Sequence, residues 1–195
     1  MRLSADLLFF AGICGMLFWA WSWTDSVVYQ RVQETALVRA SPEPPLTGIV
    51  NILTADPKIV GRLEIPRIGM SVMVRDGVDT TTLRRAAGRL PSSARPGQAG
   101  NVVILAHRDT FFRPLRRIAR KDFVILRTGQ NIFTYEVVST SIESPEAGSW
   151  RGGHQAPMLT LITCFPFHYV GPAPKRFIVT AKLVGDGGWS HRNAN

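Results

Sequence analysis

Cysteine is scarce in this chain: its 195 residues hold only Cys14 and Cys164. That excludes a disulfide-stapled scaffold and any zinc site built on several thiolates. Histidine is also sparse. His107, His154, His168 and His191 lie scattered, with neither His-x3-His nor HExxH spacing, so no metal site and no cofactor is expected. Charge is modest at 19% of residues, and acids are outnumbered 14 to 23. Hydrophobic residues reach 45%, so the chain is no disordered polyelectrolyte and can bury one core without staples. A net charge of +9 points to anionic surroundings. Nucleic acid, anionic lipid and cell-wall polymer all qualify, and charge alone does not choose among them.

One long apolar run stands near the start. From Leu7 to Trp23 the sequence LLFFAGICGMLFWAWSW carries no charge. At about 1.5 Å per helical residue it spans roughly 25 Å, a little short of a hydrocarbon core of about 30 Å. Ser26 to Tyr29 can extend it past Asp25. Trp19, Trp21 and Trp23 gather at one end, where indoles favour the membrane interface. A cleaved signal peptide would need a small-x-small site, which WAWSW lacks. A buried core helix also competes, but the run lacks the polar stripe of a surface helix. The expectation is an uncleaved transmembrane anchor at 7–29 behind a short N-terminus at 1–6. Cys14 inside it reads as a small apolar filler. Residues 30–50 form a juxtamembrane segment and a linker, SPEPPLTG, whose three prolines make a semi-rigid spacer. A domain at 51–184 follows, then a glycine-rich polar tail at 185–195.

Within the domain the apolar period is that of strands. GRLEIPRI (61–68) alternates, and Pro66 marks a strand end. MSVMV (70–74) follows a glycine turn. Asp79 is an expected N-cap for a short helix, TTLRRAAG, closed by Gly88. RLPSSARPGQAGN (89–101) reads as a loop. NVVILAH (101–107) reads as a buried strand ending at His107. FFRPLRRI (111–118) looks like one or two helical turns. DFVILRT and NIFTYEVVSTSIE, separated by Gly129 and Gln130, read as a hairpin. MLTLITC (158–164) and KRFIVTAKLV (175–184) are further strands. Many short strands with small helices predict a closed antiparallel or mixed β-barrel.

Two of these strands end in chemistry. His107 closes one and Cys164 closes another, which places both at a barrel rim. Cys164 has no disulfide partner within its domain, so it is an inert core thiol or a nucleophile. A free thiol ionises at about pH 8.5. A nearby imidazolium raises its thiolate fraction and can return a proton to a leaving amine. His107 is the best-placed donor; His168 and His154 lie on loops. If 158–164 and 175–184 pair as neighbours, Arg176 lands beside Cys164 and can serve a developing oxyanion. Taken singly, the same arginine could be a solvated surface residue.

The ordered set is more specific. Thr160 to Cys164 (TLITC) resembles the TLxTC strand of the sortases, the membrane-anchored cysteine transpeptidases of bacterial surfaces. NVVILAHRDT with FFRPLRRI resembles their histidine strand and loop. KRFIV (175–179) resembles their arginine strand, and LEIPRIGMSVMVRDGV their opening strands. CFPFHYVGPAPKRFIV is nearest to class D or a related class. The resemblance runs from about Ile59 to Val184. One departure is Ala106, where the family often has glycine. A second is GRLPSSARPGQAGN, less glycine-rich than in many relatives.

What the resemblance implies is concrete. The fold would be mainly β, a sortase-type closed barrel with a few short helices behind one N-terminal transmembrane helix. Cys164 would attack the threonine carbonyl of an LPxTG-like sorting signal and form a thioester. His107 would protonate the departing amine, and Arg176 would hold the substrate and steady the oxyanion. Thr163, Ala106 and Phe165 would contact the substrate. An amine from a cell-wall precursor or a pilin lysine would resolve the thioester. The substrates would be surface proteins bearing the signal, and the domain would sit outside the cytoplasmic membrane. Nucleic acid is not an expected partner, since no binding motif accompanies the charge. Hydrolysis alone, or a catalytically silent binding module, are the other functions compatible with the same residues. Papain-like enzymes fit worse, because their cysteine precedes the histidine.

Overall fold

The computed structural model describes residues 12–14, 16–17, 56–129, 131–148, 150 and 156–188. The anchor expected at 7–29 and the spacer at 30–50 lie outside the described residues, except that 12–14 and 16–17 are helical. Among the described residues no helix is long and apolar enough to cross a membrane.

Eight strands close into a barrel. They are β1 (Ile59–Ile65), β2 (Met70–Asp76), β3 (Ala87–Arg89), β4 (Asn101–Leu105), β5 (Phe123–Arg127), β6 (Asn131–Glu143), β7 (Met158–Phe165) and β8 (Lys175–Gly188). Their order around the barrel is β1, β2, β3, β4, β7, β8, β6, β5, and β5 returns to pair with β1. The pairs β2–β3 and β4–β7 are parallel, and the others are antiparallel. The barrel is therefore mixed.

Alternation along each strand sends one set of side chains inward. Leu63, Ile65, Val102, Ile104, Leu126, Tyr135, Leu159, Leu161 and Val179 meet there with almost no exposure. Each large side chain so buried contributes about 1.5–3 kcal/mol. Burial also pushes the Tyr135 phenol up to about 12. The strands β4, β7 and β8 are buried on their outer faces too: Val103, Thr160, Ile162 and Ile178 are at most 3% exposed. That explains why NVVILAH and MLTLITC read as continuous apolar runs rather than alternating ones.

The connections follow local chemistry. Pro66 opens a 3-10 turn, Pro66–Ile68, which ends at Gly69 with φ 65°. The helix α1, Thr80–Arg85, is capped by Asp79, which accepts bonds from the Thr82 amide (3.0 Å) and hydroxyl (2.8 Å). Those bonds hold the Asp79 carboxyl below its usual range. Gly88 does not close this helix as expected. The chain turns extended at Ala86 and becomes β3. Gly88 is required there for a different reason, since a Cβ would overlap the Gly77 carbonyl. The loop after β3 is ordered by the buried Arg89, which pairs with Asp76 (2.7 Å) and donates to the carbonyls of Ser93 (2.5 Å) and Ala94 (3.2 Å). Strand β8 runs past Val184 to Gly188, whose partner is Asn131.

Candidate active site

Strand direction sorts the molecule into two ends. β4, β6 and β7 finish at one mouth, and β8 starts there. A cleft of about 320 Å³ lined by Lys58, Asp76, Arg89, Arg95 and Phe133 marks the other end.

At the first mouth, two sequence-predicted residues fall on one row and a third follows β4. Cys164 pairs with Arg176 across the β7–β8 ladder. In an antiparallel ladder, directly opposed residues point to the same face. On its other flank Arg176 pairs with Glu143 of β6. The parallel β4–β7 ladder ends at Leu105 and Ile162, with a last bond from the Ala106 amide to the Ile162 carbonyl (3.3 Å). Continuing that register by two residues sets His107 beside Cys164. By alternation Cys164 and Arg176 lie on the outer face, at the end of a buried floor formed by Val103, Ile162 and Ile178, and the exposed His107 follows β4 at the same mouth. Strand β4 itself stops at Leu105, so His107 follows the strand rather than closing it. His107 is exposed, and Cys164 and Arg176 are half-buried.

The other expected contact residues sit behind that row. Thr163 and Ala106 point inward, with 2% and 6% exposure. The Thr163 hydroxyl donates to the Ala106 carbonyl at 2.8 Å. It thereby ties the end of the histidine strand to the cysteine strand from inside the barrel. Phe165 stacks on Phe177 (6.3 Å between centroids) and meets Phe167 edge-on (5.9 Å). The peptide bond between Phe165 and Pro166 is cis. His168 is exposed on the β7–β8 loop, and His154 lies outside the described residues.

The histidine turn is braced from below. The Phe112 amide donates to the His107 carbonyl (3.1 Å), and the Phe112 ring is fully buried in the core. A 3-10 turn, Arg113–Arg117, follows, and Leu115 anchors it. Asp122, 6% exposed, then gathers this region. It accepts from Arg67 Nε and Nη2 (2.7 Å for the latter) and from the Ala119 amide (2.8 Å). Arg67 also donates to the Arg117 carbonyl, and Arg117 donates to the Ile68 carbonyl (2.6 Å). The Arg67 guanidinium, helped by the Ala119 amide, holds the Asp122 carboxyl below its ordinary range. Sequence reading missed this network, because no spacing links Arg67 to Asp122.

A second arginine was also missed. Arg108, next to His107, donates to the carbonyls of Tyr169 (2.5 Å) and Gly171 (3.1 Å) and lies over the Tyr169 ring at 5.9 Å. Arg176 is held in a similar way, donating to Ala173 (3.2 Å) and Lys175 (3.0 Å) carbonyls. Both guanidinium groups therefore grip the loop between β7 and β8. The chemistry available at this mouth is a thiol, an imidazole and a fixed cation, above an apolar floor.

The chain is similar in sequence and in fold to known proteins. A family model described as the sortase domain matches residues 63–184. The chain is 37% identical over 125 residues to Sortase D of Bacillus subtilis, a stretch covering 64% of this chain and 63% of that protein. Among solved structures, the catalytic domain of B. anthracis SrtD matches at 32% identity with a TM-score of 0.59, covering 68% of this chain and 92% of that one. Sortase A of Listeria monocytogenes matches at 23% identity with a TM-score of 0.62 over the same shares, a likeness of fold. With the family match running from within β1 to within β8 and the TLITC strand in register with the arginine strand, the chain belongs to the sortase family.

Proposed function

We propose that the protein is a cysteine transpeptidase of the bacterial surface, held to the membrane by residues 7–29, with its barrel outside the cytoplasm. It cleaves an LPxTG-like sorting signal and transfers the protein to an amine. The observation that supports this reading is the Cys164–Arg176 pairing at the mouth where β4 and β7 run in parallel register and the chain leads on to His107.

The steps follow from the residue types. The Cys164 thiolate attacks the threonine carbonyl carbon, and the carbonyl electrons move to oxygen. Arg176, released from the Ala173 carbonyl, donates to that oxyanion. Such a donor in a dry site is worth about 3–4 kcal/mol. The tetrahedral species collapses to a thioester, and the glycine amine leaves with the proton of the His107 imidazolium. Neutral His107 then takes a proton from the acceptor amine as it attacks the thioester, which returns Cys164 as thiolate. Thr163 and Ala106 act by fixing the His107 strand to the Cys164 strand. Phe165, next to Cys164 and stacked on Phe177, contacts the bound signal. The acceptor is an amine of a cell-wall precursor or a pilin lysine, and the substrates are surface proteins carrying the signal.

Mass spectrometry of products from an LPxTG-type peptide library, with a candidate amine present, tests this proposal. Amine-linked peptide that disappears in Cys164→Ala protein is the expected result. Free acid alone would make the protein a hydrolase. No product with any member would point to a silent module.

A further inference from the structure

The loop after the nucleophile, residues 166–174, is anchored at its start by Phe167, which packs on the core and lies edge-on to Phe177 (5.3 Å between centroids), but little holds it beyond that. It contains Pro166, Pro172, Pro174 and Gly171, the last with φ 99°. Prolines lack an amide donor, and among the described residues no strand pairs with the loop. Within it, one backbone bond is formed, from the Tyr169 amide to the Pro166 carbonyl (3.3 Å). Its apex is open: Val170 is 95% exposed and Tyr169 is 46% exposed. What grips it comes from outside the apex. Arg108 takes the carbonyls of Tyr169 and Gly171 and covers the Tyr169 ring. Arg176 takes the Ala173 carbonyl two residues further on.

Arg108 follows His107 directly in the chain, so its clamp joins the histidine turn to the loop behind the cysteine. Both carbonyls are served by one guanidinium nitrogen, Nη2, while the planar group lies over the ring; a lysine ammonium has the donors but lacks the rigid plane that sets carbonyl and ring contacts together. The loop carbonyl that competes for Arg176 lies two residues from the one Arg108 holds. Where Arg108 fixes Gly171, it also fixes the place of Ala173, and hence where the Arg176 guanidinium rests.

We propose that Arg108 is a positioning residue: it latches the β7–β8 loop to the histidine turn and so keeps Arg176 within reach of the carbonyl that Cys164 attacks. It rests on the transpeptidase reading above for its effect on turnover, but the latch itself is measurable without turnover. Arg108 takes no part in bond making. Its removal lets the apex swing and moves Arg176 with it, and displacements of about 1 Å in a catalytic group cost up to about a hundredfold in rate.

The test compares full-length wild type, Arg108→Gln, Arg108→Lys and Tyr169→Ala. Millisecond-to-second hydrogen exchange is read over 166–174, and transfer of an LPxTG-type peptide to an amine is read as separate kcat and KM. In Arg108→Gln, exchange in 166–174 is expected to quicken while β4 and β7 stay as in wild type. Its kcat should fall about tenfold or more, with a smaller change in KM. Arg108→Lys should recover part of the loss, and Tyr169→Ala should loosen the loop less than Arg108→Gln. Unchanged exchange across 166–174 in both Arg108 variants overturns the latch. Equal kcat in wild type and the two Arg108 variants overturns its role in positioning Arg176. If wild type itself transfers nothing, the transpeptidase reading falls, and the exchange data still decide the latch. Should Arg108→Gln not fold, Arg108→Lys and Tyr169→Ala carry the same comparison.

Discussion

Cys164 and Arg176 face each other across the β7–β8 ladder, at its end and on the same side of the sheet. The pairing is fixed by eight consecutive partners from Met158–Lys182 to Phe165–Lys175, without a bulge. A shift of one residue would send one of the two inside the barrel. The shared face of Cys164 and Arg176 is therefore as firm as the barrel itself, while the guanidinium rests on the Ala173 and Lys175 carbonyls.

Arg176→Lys keeps a positive charge but loses the planar fork. Transfer of an LPxTG-type peptide should fall about a hundredfold or more in Arg176→Ala, and Arg176→Lys should recover only a small part. Melting temperature should stay near that of wild type, because Arg176 is half-buried and its side chain bonds, among the described residues, to the nearby carbonyls of Ala173 and Lys175. Steady-state kinetics beside a thermal melt separates the two effects.

Thr163 should prove to act through structure. Thr163→Val keeps the volume and removes the hydroxyl that serves the Ala106 carbonyl. Leaving that buried acceptor unpaired costs about 1–3 kcal/mol, read by denaturant unfolding. Activity should drop through kcat, since the histidine strand loses its inner tie. A change in KM alone would instead place Thr163 against substrate.

Asp122 gives the fold an acid-sensitive strut. Its carboxyl is held below the usual range, chiefly by Arg67. A lowered folded value means the stabilisation is present above the unfolded carboxylate value of about 3.9 and is lost as pH falls through the folded value. Asp122→Asn should therefore be less stable than wild type at neutral pH, and the gap should narrow below about pH 4. Urea unfolding across a pH series checks this, and a gap constant with pH would contradict it.

Gly88→Ala tests the close approach of β3 to the turn after β2. The added Cβ meets the Gly77 carbonyl, which is backbone and cannot swing aside. A loss of about 1–3 kcal/mol is expected by chemical denaturation. Leu161→Ala, in the barrel interior, should cost more, about 2–5 kcal/mol.

Much of this was legible from residues alone. The apolar runs at 101–107 and 158–164 reported strands buried on both faces, and both end at one mouth as expected. Asp79 announced its helix because a cap is a local bond. The hairpin at Gly129 and Gln130 was likewise local. Gly88 misled, since a glycine past a helical pattern looks like a stop whether it ends a helix or admits a neighbouring carbonyl. Thr163 and Ala106 were expected to touch substrate, yet the pleat turns both inward, and the motif alone does not say which face each residue takes. Arg108 and the Arg67–Asp122 pair were invisible, because their partners are loop carbonyls and distant residues that only the closed barrel brings near.

The central claim is that Cys164 forms a thioester with the sorting signal. Intact-protein mass spectrometry, after mixing the full-length protein with an LPxTG-type peptide and no amine, tests it most directly. The expected result is a mass increase equal to the acyl fragment ending at threonine, located on Cys164, discharged by an added amine and absent in Cys164→Ala. Amine-linked product formed by Cys164→Ala protein, or an adduct that maps to another residue, would contradict the account.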